Sequence, residues 1–157
     1  MKLTTKGRYA VTAMVDLALH ARIDCVTLTE IAERQGISQA YLEQLFGSLR
    51  KAGLITSVRG PKGGYRLAHE DKQISLADIL VAVDEQIDMT CGNGNCEHDA
   101  PCLTHSLWNN LSRELFEFLD SKKLSDLVRS RYVQIMATQQ DVTQIGDIPI
   151  HIGDHNV

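Results

Sequence analysis

The residues with the most chemistry to offer lie close together. Cys91, Cys96, Cys102 and His105 read C-x4-C-x5-C-x2-H. Thiolates are soft ligands that suit iron–sulfur clusters and zinc. Four such donors complete a tetrahedral zinc site or the protein side of a two-iron cluster. Gly92 and Gly94 let the intervening loop wrap a group. Cys102 and His105 stand three apart at a predicted helix start, where they share a face and the helix N-terminus favours thiolate. Structural zinc sites more often use two-residue gaps within a ligand pair, so the longer gaps here suit a labile cluster better. An imidazole ligand also makes such a cluster less negative, and in Rieske centres it raises the potential. Spacing leaves three chemistries open: an iron–sulfur cluster, zinc, or redox-active thiols without metal. His98 is a rival fourth ligand in mid-loop. Cys25 stands apart and reads as a small hydrophobe. A local cluster of this kind points to a reducing compartment rather than a disulfide framework.

The elements around this cluster give it a setting. Residues 8–21 are apolar around much of a helical circumference, which predicts a core or seam helix. Thr27 and Glu30 form a capping box for a short helix to about Gln35, stopped by Gly36. Ser38 caps a second helix, Gln39 to Ala52, with Gly53 past its end. Ile31, Ile37, Tyr41, Leu42, Leu45 and Leu49 fill the angle between the two. This is a helix-turn-helix over about 28–51. Two strands, 54–58 and 65–68, flank the turn cluster Arg59–Gly64 and predict a wing over about 54–68. The fold class is therefore mainly α: a winged helix-turn-helix with a β-hairpin wing.

Beyond the wing, Ser75 and Asp78 open a helix to about Gln86. After the cysteine loop, Leu103, Leu107, Leu111, Leu115, Phe118 and Leu119 recur at three or four, with Trp108 beside them. That stripe predicts a long helix over 103–119, either at a dimer seam or packed on its own domain. Lys123 to Arg131 forms a further short helix opened by Ser125. The organisation is a DNA-binding region at 1–70, cluster loop and dimerisation helices at 71–131, and a disordered tail at 132–157 that includes His151 and His155.

Charge agrees with this division. Residues 1–66 hold ten Lys/Arg against five Asp/Glu, whereas the remainder holds six against fifteen. A basic front half on an acidic back half fits a DNA-binding domain joined to another module. On the second helix the DNA-facing set is Ser38, Gln39, Ala40, Tyr41, Glu43, Gln44 and Arg50. On the wing it is Arg59, Gly60 and Pro61. Gln reads adenine, and Glu accepts from cytosine N4 or repels acceptor-only edges. A guanidinium at the wing tip suits a narrow minor groove. A dimer of such units demands a two-fold symmetric operator in double-stranded DNA. No phosphate loop, H-E-x-x-H or G-x-S-x-G is present, so an enzyme is not expected. No apolar run is long enough to span a membrane, and Asp16 breaks the one signal-like stretch. A cytoplasmic protein is expected.

Several separate motifs, in order, carry a resemblance. They are the opening Met1–Met14, Arg34–Ser38 with Tyr41–Phe46, Ser57–Pro61 with Gly63–Tyr65, and the Cys/His cluster. Together they resemble the iron–sulfur cluster regulators of the Rrf-two winged-helix type, over about residues 1–131. The resemblance implies a homodimeric repressor and activator with one [2Fe–2S] cluster per subunit, ligated by Cys91, Cys96, Cys102 and His105. It implies that the loaded form represses iron–sulfur assembly genes, whose machinery donates the cluster. It also implies that a cluster-free form regulates other promoters. Two departures stand out: a shorter loop between Cys91 and Cys96, and Ala40 in place of a polar residue.

Overall fold

A computed structural model describes residues 3–88 and 103–146. Helix α1 (Thr5–His20) starts three residues earlier than its apolar pattern, because the Thr4 hydroxyl accepts from the Gly7 amide and caps it. Helices α2 (Leu28–Gln35) and α3 (Gln39–Lys51) form the helix-turn-helix. The Thr27–Glu30 capping box is present at the start of α2. Gly36 closes α2 at φ 64°, a left-handed conformation that costs a side-chain-bearing residue more. The Ser38 hydroxyl accepts from the Tyr41 amide at 3.2 Å and opens α3.

Strands β1 (Ile55–Val58) and β2 (Gly64–Leu67) pair antiparallel, with Ile55 opposite Leu67 and Val58 opposite Gly64. The sequence pattern missed an isolated bridge on the other side of β2. Val26, between α1 and α2, exchanges two backbone hydrogen bonds with Tyr65, at 2.9 and 2.7 Å. One residue has no periodicity to detect.

Helix α4 (Leu76–Ala82) follows a 3₁₀ turn at Asp71–Gln73. It is shorter than its capping box and apolar run predict. Asp84 takes φ 54°, and the Glu85 amide bonds back to the Leu80 carbonyl. The chain thus turns towards α1 instead of continuing helically. Helix α5 (His105–Ser121) is the long amphipathic helix. Helix α6 (Leu124–Arg129) is opened by Lys123, whose amide donates to Asp126, and not by Ser125, which is buried inside the helix.

The tail expectation is corrected over 131–146. These residues form helix α7 (Arg131–Gly146). Its own sequence is weakly amphipathic, so the helix depends on tertiary support. That support comes from α6 and α2, which α7 contacts, with Gln134 donating to the Val128 carbonyl and Gln35 donating to Gln140 at 3.0 Å. Residues 147–157, with His151 and His155, lie outside the described residues.

The core gathers Met14 and Leu17 of α1, Ile31 of α2, Leu42, Phe46 and Leu49 of α3, Ile55, Ile79 of α4, and Leu124 and Val128 of α6. The Asp16 carboxylate is buried beside them. Asp16 accepts from Arg34 Nε at 2.9 Å, Arg34 Nη2 at 2.7 Å and Gln35 Nε2 at 2.7 Å. The Asp16 side chain is fully buried and that of Arg34 is 7% exposed. Gln35 also donates to Gln140 of α7, and His20 bridges Asp16 to Asp141. One carboxylate thus ties α1, α2 and α7 together.

Candidate nucleic-acid interface and metal centre

Helix α3 shows one face to the core and leaves Ser38, Gln39, Ala40, Glu43, Gln44 and Arg50 exposed. These are the polar positions that the Leu42, Leu45 and Leu49 stripe leaves free, so burial and reading face follow from one helical period. Tyr41 is half-buried. Its ring lies edge-on to Tyr9 of α1, with centroids 5.8 Å apart. Tyr41 is therefore chiefly a joint between α1 and the reading helix. Gln39 has a partner that sequence alone did not reveal: its carbonyl oxygen accepts from the Thr29 hydroxyl of α2 at 3.2 Å. This orients the amide N–H groups to donate outward.

The wing places Arg59, Gly60, Pro61 and Lys62 at its exposed tip, with Arg66 exposed on β2 opposite Thr56. Its position relative to α3 is fixed by Phe46, whose ring packs edge-on to Tyr65 at 4.9 Å. This contact sets the basic wing tip beside the polar face of α3. Replacing Arg59 by alanine is expected to weaken DNA binding. If the guanidinium pairs with a phosphate, the slope of log K against log salt flattens by about one unit. A salt titration of operator binding checks this, and an unchanged slope assigns Arg59 to shape readout instead.

Of the four expected metal ligands, His105 alone lies among the described residues; Cys91, Cys96, Cys102 and the rival His98 lie outside them. His105 is the first residue of α5 and is half-buried. It faces a cleft of about 650 Å³ that Glu85, Ile87, Asp88, Ser112 and Phe116 also line. The expected loop thus leaves from the stem at Asp88 and returns to α5 beside His105. The imidazole lines the cleft close to the point where the chain re-enters the described residues at Leu103. Its residue type and its place on the cleft wall fit a metal or cluster held by the three thiols. Cys25 is part-buried near Gly64, distant in sequence from this donor set.

Glu85, which sequence reading passed over, is the polar centre of the cleft wall. It is 8% exposed. Its carboxylate accepts from the Thr4 amide at 2.9 Å and from the Thr4 hydroxyl. Burial pushes its pKa up, but the bonds from Thr4 and the Gly7 amide outweigh this and hold the carboxyl below its ordinary value.

Across the described residues, no helix is long and apolar enough to cross a membrane. Along α5, Leu103 just before it and Leu107, Leu111, Phe116 and Phe118 on it are exposed, and no residue of the helix is buried. The stripe is present as the periodicity predicted, but its apolar face is not absorbed into the chain's own core.

The family model described as "Rrf2: Iron-dependent Transcriptional regulator" matches residues 3–130. The HTH-type transcriptional regulator IscR of Vibrio campbellii is 51% identical over 144 residues, which is 90% of this chain and 86% of the relative. The protein of the same name from Photobacterium profundum is 52% identical over 143 residues, covering 90% of this chain and 83% of its own. The solved structure of T. potens IscR matches with TM-score 0.68 and 43% identity, covering 82% of this chain and 87% of that one. CymR, described as the global cysteine regulator of B. subtilis, matches with TM-score 0.71 and 36% identity over 82% of this chain and 96% of that one. A basic winged helix-turn-helix and a family match across nearly all the described residues lead to one conclusion: this chain belongs to the Rrf2 family and is a DNA-binding transcription regulator of the IscR type.

Proposed function

We propose that this regulator chooses its promoters by the occupancy of a [2Fe–2S] cluster, one per subunit, held by Cys91, Cys96, Cys102 and His105. The observation that carries this reading is the C-x4-C-x5-C-x2-H donor set, with its histidine on the cleft wall at the first turn of α5. When bound, the cluster supplies a redox-sensitive and losable crosslink between the loop and α5. The other steps belong to the chain. His105 anchors the loop to α5. Gln39 and Gln44 donate to base edges. Glu43 accepts from cytosine N4 in one operator class and repels acceptor-only edges in another. Arg59, with Gly60 and Pro61, follows the minor groove, while Ser38, Ala40, Tyr41 and Arg50 line the contact surface.

The exposed α5 stripe supports a homodimer as the working unit, on a two-fold symmetric operator with half-sites about 34–36 Å apart or a multiple of this. The loaded form represses iron–sulfur assembly genes, and the cluster-free form serves other promoters. The assembly machinery of the reducing cytoplasm donates the cluster.

The test is an anaerobic ultraviolet–visible spectrum with iron, sulfide and zinc counted per chain. The reading expects visible bands with about two irons and two sulfides per chain. These bands disappear in Cys91→Ala, Cys96→Ala or Cys102→Ala and change shape in His105→Ala. A colourless protein with one zinc per chain that unfolds on chelation overturns the signalling role and leaves a structural metal.

A further inference from the structure

We propose that Glu85 is the positioning residue through which the 89–102 loop acts on the DNA-reading helix; this rests on the cluster-occupancy reading above. Glu85 faces two ways. On one side it lines the cleft that His105 and Asp88 share, six residues before Cys91. On the other, its carboxylate receives the Thr4 amide and hydroxyl at the N-terminus of α1. Thr4 is itself the cap of α1, so the carboxylate completes the cap from a distant part of the chain. A carboxylate is favoured there by the positive end of the helix dipole.

On the α1 side the carboxylate lies close against Gly7. A Cβ on Gly7 would lie 2.7 Å from Glu85 Oε2 and 2.9 Å from its carboxyl carbon. Gly7 thus occupies the first turns of a buried helix, where alanine is ordinarily preferred, because the carboxylate fills the space. On the loop side, Asp84 at φ 54° turns the chain so that Glu85 reaches α1. The stem that follows is held by buried Ile87 and by Ser112 of α5, whose hydroxyl donates to Asp88 at 3.4 Å.

From α1 the route to the DNA is short. Tyr9, one turn after the cap, meets Tyr41 of α3 edge-on. Tyr41 is flanked by the exposed Gln39, Glu43 and Gln44. A change in how the loop stem sits therefore moves or releases the Glu85 carboxylate. The first turn of α1 follows, and with it the joint that sets the tilt of the reading helix. Glu85 touches neither metal nor DNA; it acts through the cap it holds.

Four variants separate this from an ordinary helix cap, Glu85→Ala alone being the reference for the double variant. Glu85→Gln keeps the shape and removes the charge. Gly7→Ala keeps the carboxylate and displaces it. Glu85→Ala with Gly7→Ala removes both the carboxylate and the clash. Two readouts are taken on each protein, loaded and cluster-free at one salt concentration. The first is the ratio of operator affinities between the two forms. The second is amide hydrogen exchange at Gly7 and Arg8, which needs no DNA. In the unaltered protein loading is expected to change the affinity ratio about 5–150-fold and to slow exchange at both amides. In Glu85→Gln and Gly7→Ala the ratio collapses towards one, and exchange becomes the same in both forms. Adding Gly7→Ala to Glu85→Ala produces no further change, which identifies the carboxylate as what Gly7 accommodates.

If the unaltered protein shows no dependence on loading in either readout, the cluster-occupancy reading falls and this inference falls with it. If the dependence is present and survives in Glu85→Gln and Gly7→Ala, the inference alone is overturned. It is also overturned if the variants lose affinity equally in both forms, since that marks a simple structural cap.

Discussion

Replacing Asp16 by alanine is expected to destabilise the fold by about 3–5 kcal/mol, the cost of breaking a buried charge pair by removing one partner. The Arg34 guanidinium, only 7% exposed, would keep its charge and lose both of its bonds to the carboxylate. Gln35 would lose a partner at the same time. For a chain of this size the loss lowers the melting temperature by roughly 6–20 °C. Thermal unfolding followed by circular dichroism measures it, and a shift under about 2 °C would show that water replaces the pair. DNA affinity should fall as well, because Arg34 and Gln35 hold α2, against which α3 is set.

The same site predicts how stability varies with pH. Burial pushes the Asp16 carboxyl up, but hydrogen bonds from His20, Arg34 and Gln35 win and hold it below the usual carboxylate range. Its contribution is therefore complete above the unfolded pKa, about 3.9, and is lost as pH falls through the folded value. His20 has the opposite sign. The bond to Asp16 outweighs its desolvation and raises its pKa, with Arg34 opposing and Asp141 of α7 on the far side of the ring. Its contribution is complete below about pH 6.5 and is lost as pH rises through the raised folded value. Stability therefore climbs on leaving acid and declines slightly above neutrality, and Asp141→Asn should reduce that upper decline.

Glu43→Ala is expected to change DNA choice more than DNA affinity. Glu43 stands exposed on the reading face of α3 between Gln39 and Gln44. A carboxylate there costs binding wherever it meets phosphate or acceptor-only base edges, and it rewards a cytosine N4 donor. Alanine removes both effects. The cluster-free protein should then bind the otherwise disfavoured operator class up to about 5–150-fold better, while the preferred class loses little. Competition between the two operators at fixed salt decides the matter, since affinities compared across salt concentrations would mix in counterion release. An unchanged preference would show that Glu43 does not carry the selection.

Local sequence was sufficient where local physics decides. The Thr27–Glu30 and Ser75–Asp78 boxes, the Gly36 stop and the Ser38 cap each act within a few residues, and each is present in the structure. The α3 stripe named its own exposed face, because one period assigns every residue to core or surface. The Cys91, Cys96, Cys102 and His105 spacing proposes a donor set from residue type alone, and of these only His105 lies among the described residues.

Tertiary structure decided the rest, for a common reason: its determinants are far apart in the chain. Asp16 reads as a polar break in an apolar helix until α2 brings Arg34 to it. Glu85 reads as a surface acid beyond a helix end until Asp84 turns it towards Thr4, 81 residues away. Residues 131–146 have too weak a period to announce a helix, and they form one where α6 and α2 supply contacts and hydrogen bonds, with His20 of α1 reaching Asp141. Val26 joins the wing through two backbone bonds that carry no side-chain signature. Sequence determined the elements and the kinds of chemistry. Long-range packing determined which buried charges hold α1, and α1 is the element that touches both Glu85, through Thr4, and Tyr41 of α3, through Tyr9.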